Sequence, residues 1–331
     1  MLFSACETDF DVNAEWEETT VVFGLLDASD ENQLQKIKIS KAFLGNMDAY
    51  QMAQYSDSIN YGVDELDVKV YKWDFNQIED SVELIAVPTY RDGEIFYDSI
   101  IVYQFENGVV NEDSVDVFLQ KGYEYELVIK NNKSGNIVSS RTEIVSGFDF
   151  DDTYQNPSSA ERPQYPFGFY TNDGDFYQQT ITWGMGSSND NGKIYQLDLI
   201  INYTEKSGLD SIKKSLTYSL PLVDDSEDKI RIDGEEFFNF LKLNLTKDEN
   251  IIRFFNGLDM LMTVGSEDLE TYINVNKPIT GIVQERPQFT NINNGIGLFS
   301  SRFTRLIENY DLSSNSLKYL KSVDGLDRNF Q

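Results

Sequence analysis

Apolar residues recur with period two over much of the first half of the chain, the spacing of half-buried strands. Residues 20–26 and 34–39 read as two strands around the turn Asp27-Ala28-Ser29-Asp30, and therefore as a hairpin. Residues 67–73 set Val68, Val70 and Tyr71 against Asp67, Lys69 and Lys72. Further strands are expected at 82–87, 95–105, 115–118, 123–130 and 137–145. Asn107-Gly108, Lys121-Gly122 and Ser134-Gly135-Asn136 separate them with residues that tolerate positive φ. The stretch 41–61 is polar and is expected to be irregular or a short helix. The fold class predicted is mainly β, with an immunoglobulin-like or transthyretin-like β-sandwich over residues 20–147.

The pattern changes over residues 148–166. Asp149, Asp151 and Asp152 precede Asn156-Pro157-Ser158-Ser159, and three of the seven prolines (Pro157, Pro163, Pro166) fall here, which predicts a linker. An α+β domain is expected over 167–331. Residues 178–183 and 193–203 predict a hairpin around Asn191-Gly192, and 215–220 another strand. Asp233 with Glu236 makes a capping box ahead of Phe237, Phe238, Leu241 and Leu245, an apolar helical face. Thr246 with Glu249 makes a second box ahead of Ile251, Ile252 and Phe255, with Gly257 as C-terminal cap. Ser266 opens a third, shorter helix, and 298–307 is the last predicted strand.

At 331 residues the chain suits two cores better than one. Its 56 acidic and 27 basic residues give a formal charge of −29, which repels nucleic acid. It contains no histidine and one cysteine. Histidine-based triads, histidine-ligated zinc and internal disulfides are thereby excluded within this sequence. Carboxylate chemistry survives, but among 56 carboxylates a pair at glycosidase spacing arises by chance, so no catalytic residue is assigned and an enzyme is not expected. No cofactor is implied. Residues 187–192 with Asp198 have the spacing of a calcium loop, but Ser187 and Asp198 stand where Asp and Glu belong, so a hairpin turn is the stronger reading and no metal is assigned.

The chain opens Met1-Leu2-Phe3-Ser4-Ala5-Cys6. A lone cysteine behind two small residues looks like the end of a bacterial lipoprotein signal peptide. Residues 1–5 are then its remnant, Cys6 the lipid attachment site and 6–19 a tether. The plain alternative is a free thiol. Phe3 stands where Leu is usual, and a charged start is missing ahead of it, so the true start is expected upstream. Glu7, Asp9 and Asp11 resemble the surface-export signal of Bacteroidota lipoproteins.

Cys6, the hairpin 21–39, the strand Leu66-Asp67-Val68-Lys69-Val70-Tyr71, the phrase Gly122-Tyr123-Glu124-Tyr125-Glu126-Leu127 and the segment 291–299 together resemble uncharacterised outer-membrane lipoproteins of the Bacteroidota. The resemblance covers most of the chain. It implies a cell-surface, lipid-anchored, non-catalytic subunit whose partner is an outer-membrane β-barrel such as a TonB-dependent receptor. Uptake, secretion or barrel assembly are the processes it would serve. The alternative is a glycan-binding or glycan-cleaving surface lipoprotein. Asp-Ser-aliphatic tripeptides of the kind glycosylated in that phylum place candidate O-glycosylation at Ser58, Ser81, Ser99, Ser114 and Ser211.

Tyr165, Phe167, Phe169, Tyr170, Tyr177 and Trp183, with Phe176 among them, are the candidate binding surface, since aromatic faces suit sugars and protein partners. The competing expectation is that alternate members are core.

Overall fold

The computed structural model describes residues 19–29, 34–42, 59–90, 99–110, 115–145, 147–150, 166–183, 191–278 and 288–331. Within them the protein is mainly β. The first ten strands are β1 (Thr19–Asp27), β2 (Leu34–Ala42), β3 (Leu66–Asp74), β4 (Gln77–Glu83), β5 (Ile85–Tyr90), β6 (Ser99–Glu106), β7 (Gly108–Val110), β8 (Val115–Val117), β9 (Glu124–Asn131) and β10 (Ile137–Glu143). Then come β11 (Gln178–Thr182), β12 (Ile194–Ser207), β13 (Asp210–Ser219), β14 (Val223–Asp224), β15 (Lys229–Asp233), β16 (Ile252–Gly265) and β17 (Gly295–Tyr310). The described helices are α1 (Gly234–Asn244), α2 (Glu267–Asn276) and α3 (Ser314–Lys321), so described helix is concentrated late in the chain.

One large sheet runs β13-β12-β16-β17-β1-β2-β6-β5, with β14 also on β12, and a four-stranded sheet runs β10-β9-β3-β4. Two apolar cores result. Val22, Leu26, Ile37 and Ile39 of the large sheet share one with Val68, Val70, Leu127 and Ile129 of the smaller sheet. The other gathers Leu197, Leu199, Met260 and Met262 with Phe237, Phe238 and Leu241 of α1. Apart from Ile292 and Phe299 the first core is drawn from residues up to Ile144, and the second begins at Val145; strand β17 enters both, through Phe299 in one and Ile307 and Tyr310 in the other. The pairing that unites the sheet is β1 on β17, a parallel ladder running from Thr20–Gly295 to Asp27–Arg302. At Gly297 (φ +119°) a Cβ would stand 2.0 Å from the Val22 carbonyl oxygen, so this close approach requires glycine.

The predicted hairpin of residues 20–39 is present, with Phe23 opposite Lys38. Asp233 caps α1 as its sequence indicates, its carboxylate accepting from the Glu235 and Glu236 amides. Other expectations are corrected. The strand read at 82–87 is two strands, because the chain changes sheets at buried Leu84. Strand β11 pairs with β15 rather than making a hairpin with β12, whose two edges are already taken by β13 and β16. The second capping box opens no helix. Asp248 instead accepts from the Asn250 amide in a turn, and the chain continues as the 14-residue strand β16. Gly257 (φ +117°) lies where the register of β16 against β12 shifts, not at a helix end. The linker begins in the core, for Phe148 and Phe150 pack edge-to-face on each other at 4.9 Å, and Phe148 meets Trp183 at 6.0 Å and Tyr195 at 6.2 Å. Residues 151–165 of that linker, and the polar stretch 43–58, lie outside the described residues.

Candidate functional site

Strand β1 is apolar on both faces. Thr20, Val22 and Leu26 are buried, Val22 and Leu26 in the first core, so alternation turns Val21, Phe23 and Leu25 to the opposite face. Register places Ile296, Leu298 and Arg302 of β17 beside Val21, Phe23 and Asp27. On β2, Leu34 and Lys36 alternate with buried Gln35 and Ile37. Helix α2 lies over this face and supplies Leu269, Tyr272 and Ile273, spaced i, i+3 and i+4 on one side of the helix.

Between helix and strands runs a groove of about 690 Å³, lined by Phe23, Leu25, Leu34 and Leu298 below and by those three helix residues above. Its first turn ties α2 down. The Ser266 and Ser300 hydroxyls hydrogen-bond at 2.5 Å, the Ser266 amide donates to the Ser301 carbonyl, and Asn291 donates to both Asp268 and the Phe299 carbonyl. Farther along, the helix stands off the sheet. No residue of α2 is fully buried, while Phe23 is 41% exposed although its ring meets Tyr272 edge-on at 6.0 Å.

A charged group is built into the same lining. Asp27 is 2% exposed, and its carboxylate accepts from the Ser29 amide and hydroxyl and from Arg302 Nε at 3.0 Å. Gln35 brackets the Asp27 backbone, accepting from its amide and donating to its carbonyl. The Arg302 side chain is 40% exposed, and its Nη groups have no acceptor among the described residues. Lys36 adds a second cation to the lining. This arrangement can hold an apolar body and an anionic head.

Elsewhere, two carboxyls are held below their ordinary value. Burial pushes the Glu65 carboxyl up, but the Gly62 amide, Lys133 and Lys41 outweigh it and hold it below its ordinary value. Burial likewise opposes, and Lys214 and Arg253 overcome it to lower, the Glu205 carboxyl. The Tyr103 phenol is pushed up to about 12 by burial, with the Glu65 charge adding. Among the described residues no group of three or more Asp, Glu or Cys could hold a metal ion.

The aromatic run does not form a continuous surface. Phe167, Phe169 and Trp183 are buried, Phe169 stacking on Phe237 at 4.3 Å. Tyr170 is partly buried against Tyr319, and only Tyr177 stands 39% exposed. Tyr165 lies outside the described residues. Of the candidate O-glycosylation sites, Ser81 and Ser211 are exposed on β4 and β13, each at the edge of its sheet. Ser99 opens β6, and Ser58, Ser114 and the lipid-attachment candidate Cys6 lie outside the described residues. The groove escaped the sequence reading, although apolar residues on both faces of β1 were a usable sign that both faces are covered.

Comparison with protein-family models gives no match to this chain, and comparison with curated proteins gives none either.

Proposed function

We propose that the protein is a non-catalytic binding subunit, lipid-anchored through Cys6 at the outer-membrane surface and working with an outer-membrane β-barrel in uptake, secretion or barrel assembly. The observation that carries the binding role is the groove under α2, a concavity with apolar walls and a few convergent polar groups, of the size small ligands use. The four described carboxylates with a resolved shift, Glu65, Glu205, Asp224 and Asp327, are all lowered, the reverse of what a general acid near neutrality needs. Anchor and partner rest on the sequence resemblance. Two sheets sharing the first core, and the three described helices lying after residue 230, favour the finer fold reading of an immunoglobulin- or transthyretin-like sandwich followed by an α+β unit. The glycan alternative is weakened, since three of its platform aromatics are buried.

Affinity purification of the full chain from detergent-solubilised native membranes tests this reading. A β-barrel protein should co-purify, and Cys6→Ala should leave the membrane fraction. Recovery of the chain alone, with Cys6→Ala still membrane-bound, would overturn it.

A further inference from the structure

We propose that the groove between α2 and strands β1, β2 and β17 binds a fatty acid, its aliphatic chain against Phe23, Leu34, Tyr272 and Ile273 and its carboxylate on Arg302. The inference rests on the binding-subunit reading and names the ligand class.

The chain as a whole carries −29, yet among the described residues the groove lining holds Lys36 and Arg302 against one acid, Asp27. That acid is buried and its oxygens are already engaged by Ser29 and Arg302. Without an acceptor among the described residues, the Arg302 Nη groups form a fork of N–H donors, the geometry that matches a carboxylate.

The walls also favour an aliphatic occupant. Phe23 of β1 is paired with Leu298 of β17 on one side and Lys38 of β2 on the other, and Leu34 of β2 with Glu106 of β6, so these backbone positions are already in ladders. A peptide laid here would bury its own amides and carbonyls against Phe23, Leu34 and Ile273 without partners, leaving each of them unsatisfied. A sugar meets the same difficulty through its hydroxyls. An aliphatic chain has no such groups to satisfy, and only its head needs a partner.

Calorimetric titration of the full chain with sodium dodecanoate and with dodecyltrimethylammonium chloride, both kept below micelle formation, tests the proposal. The two share a tail and differ in head charge. Dodecanoate should bind one per chain, and the cation about tenfold or more weakly, the scale of a charge-assisted hydrogen bond. Arg302→Gln should weaken dodecanoate by about tenfold and leave the cation unchanged. Lys36→Gln, at a side chain outside the Asp27 network, should give a smaller loss of the same sign even if Arg302→Gln perturbs folding. Leu34→Glu should abolish binding of both. Equal affinity for the two probes, binding of neither, or dodecanoate binding that survives Leu34→Glu would overturn the proposal. A barrel that co-purifies with a chain unable to bind dodecanoate would sink this inference alone. Dodecanoate binding by a chain recovered without any barrel would sink only the accessory-subunit reading.

Discussion

Asp27 and Arg302 stand side by side on parallel strands although 275 positions separate them, and the guanidinium donates from Nε to the carboxylate at 3.0 Å. They close the far end of the β1–β17 ladder, where an early strand and the last strand of the described chain become neighbours. The same pair forms the charged part of the groove.

Replacing Arg302 with Met should leave the buried Asp27 carboxylate with Ser29 as its main donor. A loss of about 1–3 kcal/mol in urea denaturation is expected, the cost of stranding a charged acceptor. Asp27→Asn, which keeps an acceptor and lets the exposed guanidinium rehydrate, should cost less.

Gly297→Ala is expected to be the more damaging change, though it adds one methyl group. The added Cβ meets the Val22 carbonyl at 2.0 Å, and the φ of +119° is one that only glycine adopts without strain. A loss of about 3 kcal/mol or more, or failure to fold, should follow in thermal denaturation. The neighbouring Ile296→Ala, at a side chain 44% exposed, should change stability far less.

Arg253 is wholly buried, with its guanidinium on Glu205, the Arg328 carbonyl and Thr246, while its backbone pairs with Asn329 and Gln331. Arg253→Met should therefore cost about 3 kcal/mol or more and loosen the C-terminal segment, since one partner of a buried pair is removed. Glu205 gives the pH dependence. Its folded-state carboxyl lies below the ordinary 4.5, so its contribution is fully present above that pH and is lost as pH falls through the lower folded value. Glu205→Gln should flatten the acid limb of a melting-temperature profile below pH 4.5.

Much of this fold was legible locally. Alternation in β2, β3, β9 and β10 and the Asp233 cap of α1 are signals carried by adjacent residues. Strand β16 was misread because Ile251, Ile252 and Phe255 suit a helical face as well as a strand. The decisive period-two run of Leu258, Met260, Met262 and Val264, all buried, lies beyond Gly257. The groove was not legible as a site. Phe23, Leu34, Tyr272 and Arg302 come from four elements, and they meet only because β1 pairs with β17, a long-range contact with no local signature.

The aromatic run divides by burial, and substitution should show the division. Phe169→Ala should cost about 3–5 kcal/mol as a core deletion. Tyr177→Ser, at a side chain 39% exposed, should cost markedly less in the same denaturation experiment.

Methyl-resolved NMR of the full chain during titration with sodium dodecanoate tests most directly whether the groove under α2 is the binding site. Methyl shifts of Leu25, Leu34, Leu269, Ile273 and Leu298 should move together and saturate, while those of Leu197 and Leu199 in the second core stay in place. Unmoved groove methyls at saturating ligand, or shifts centred on another surface, would contradict it.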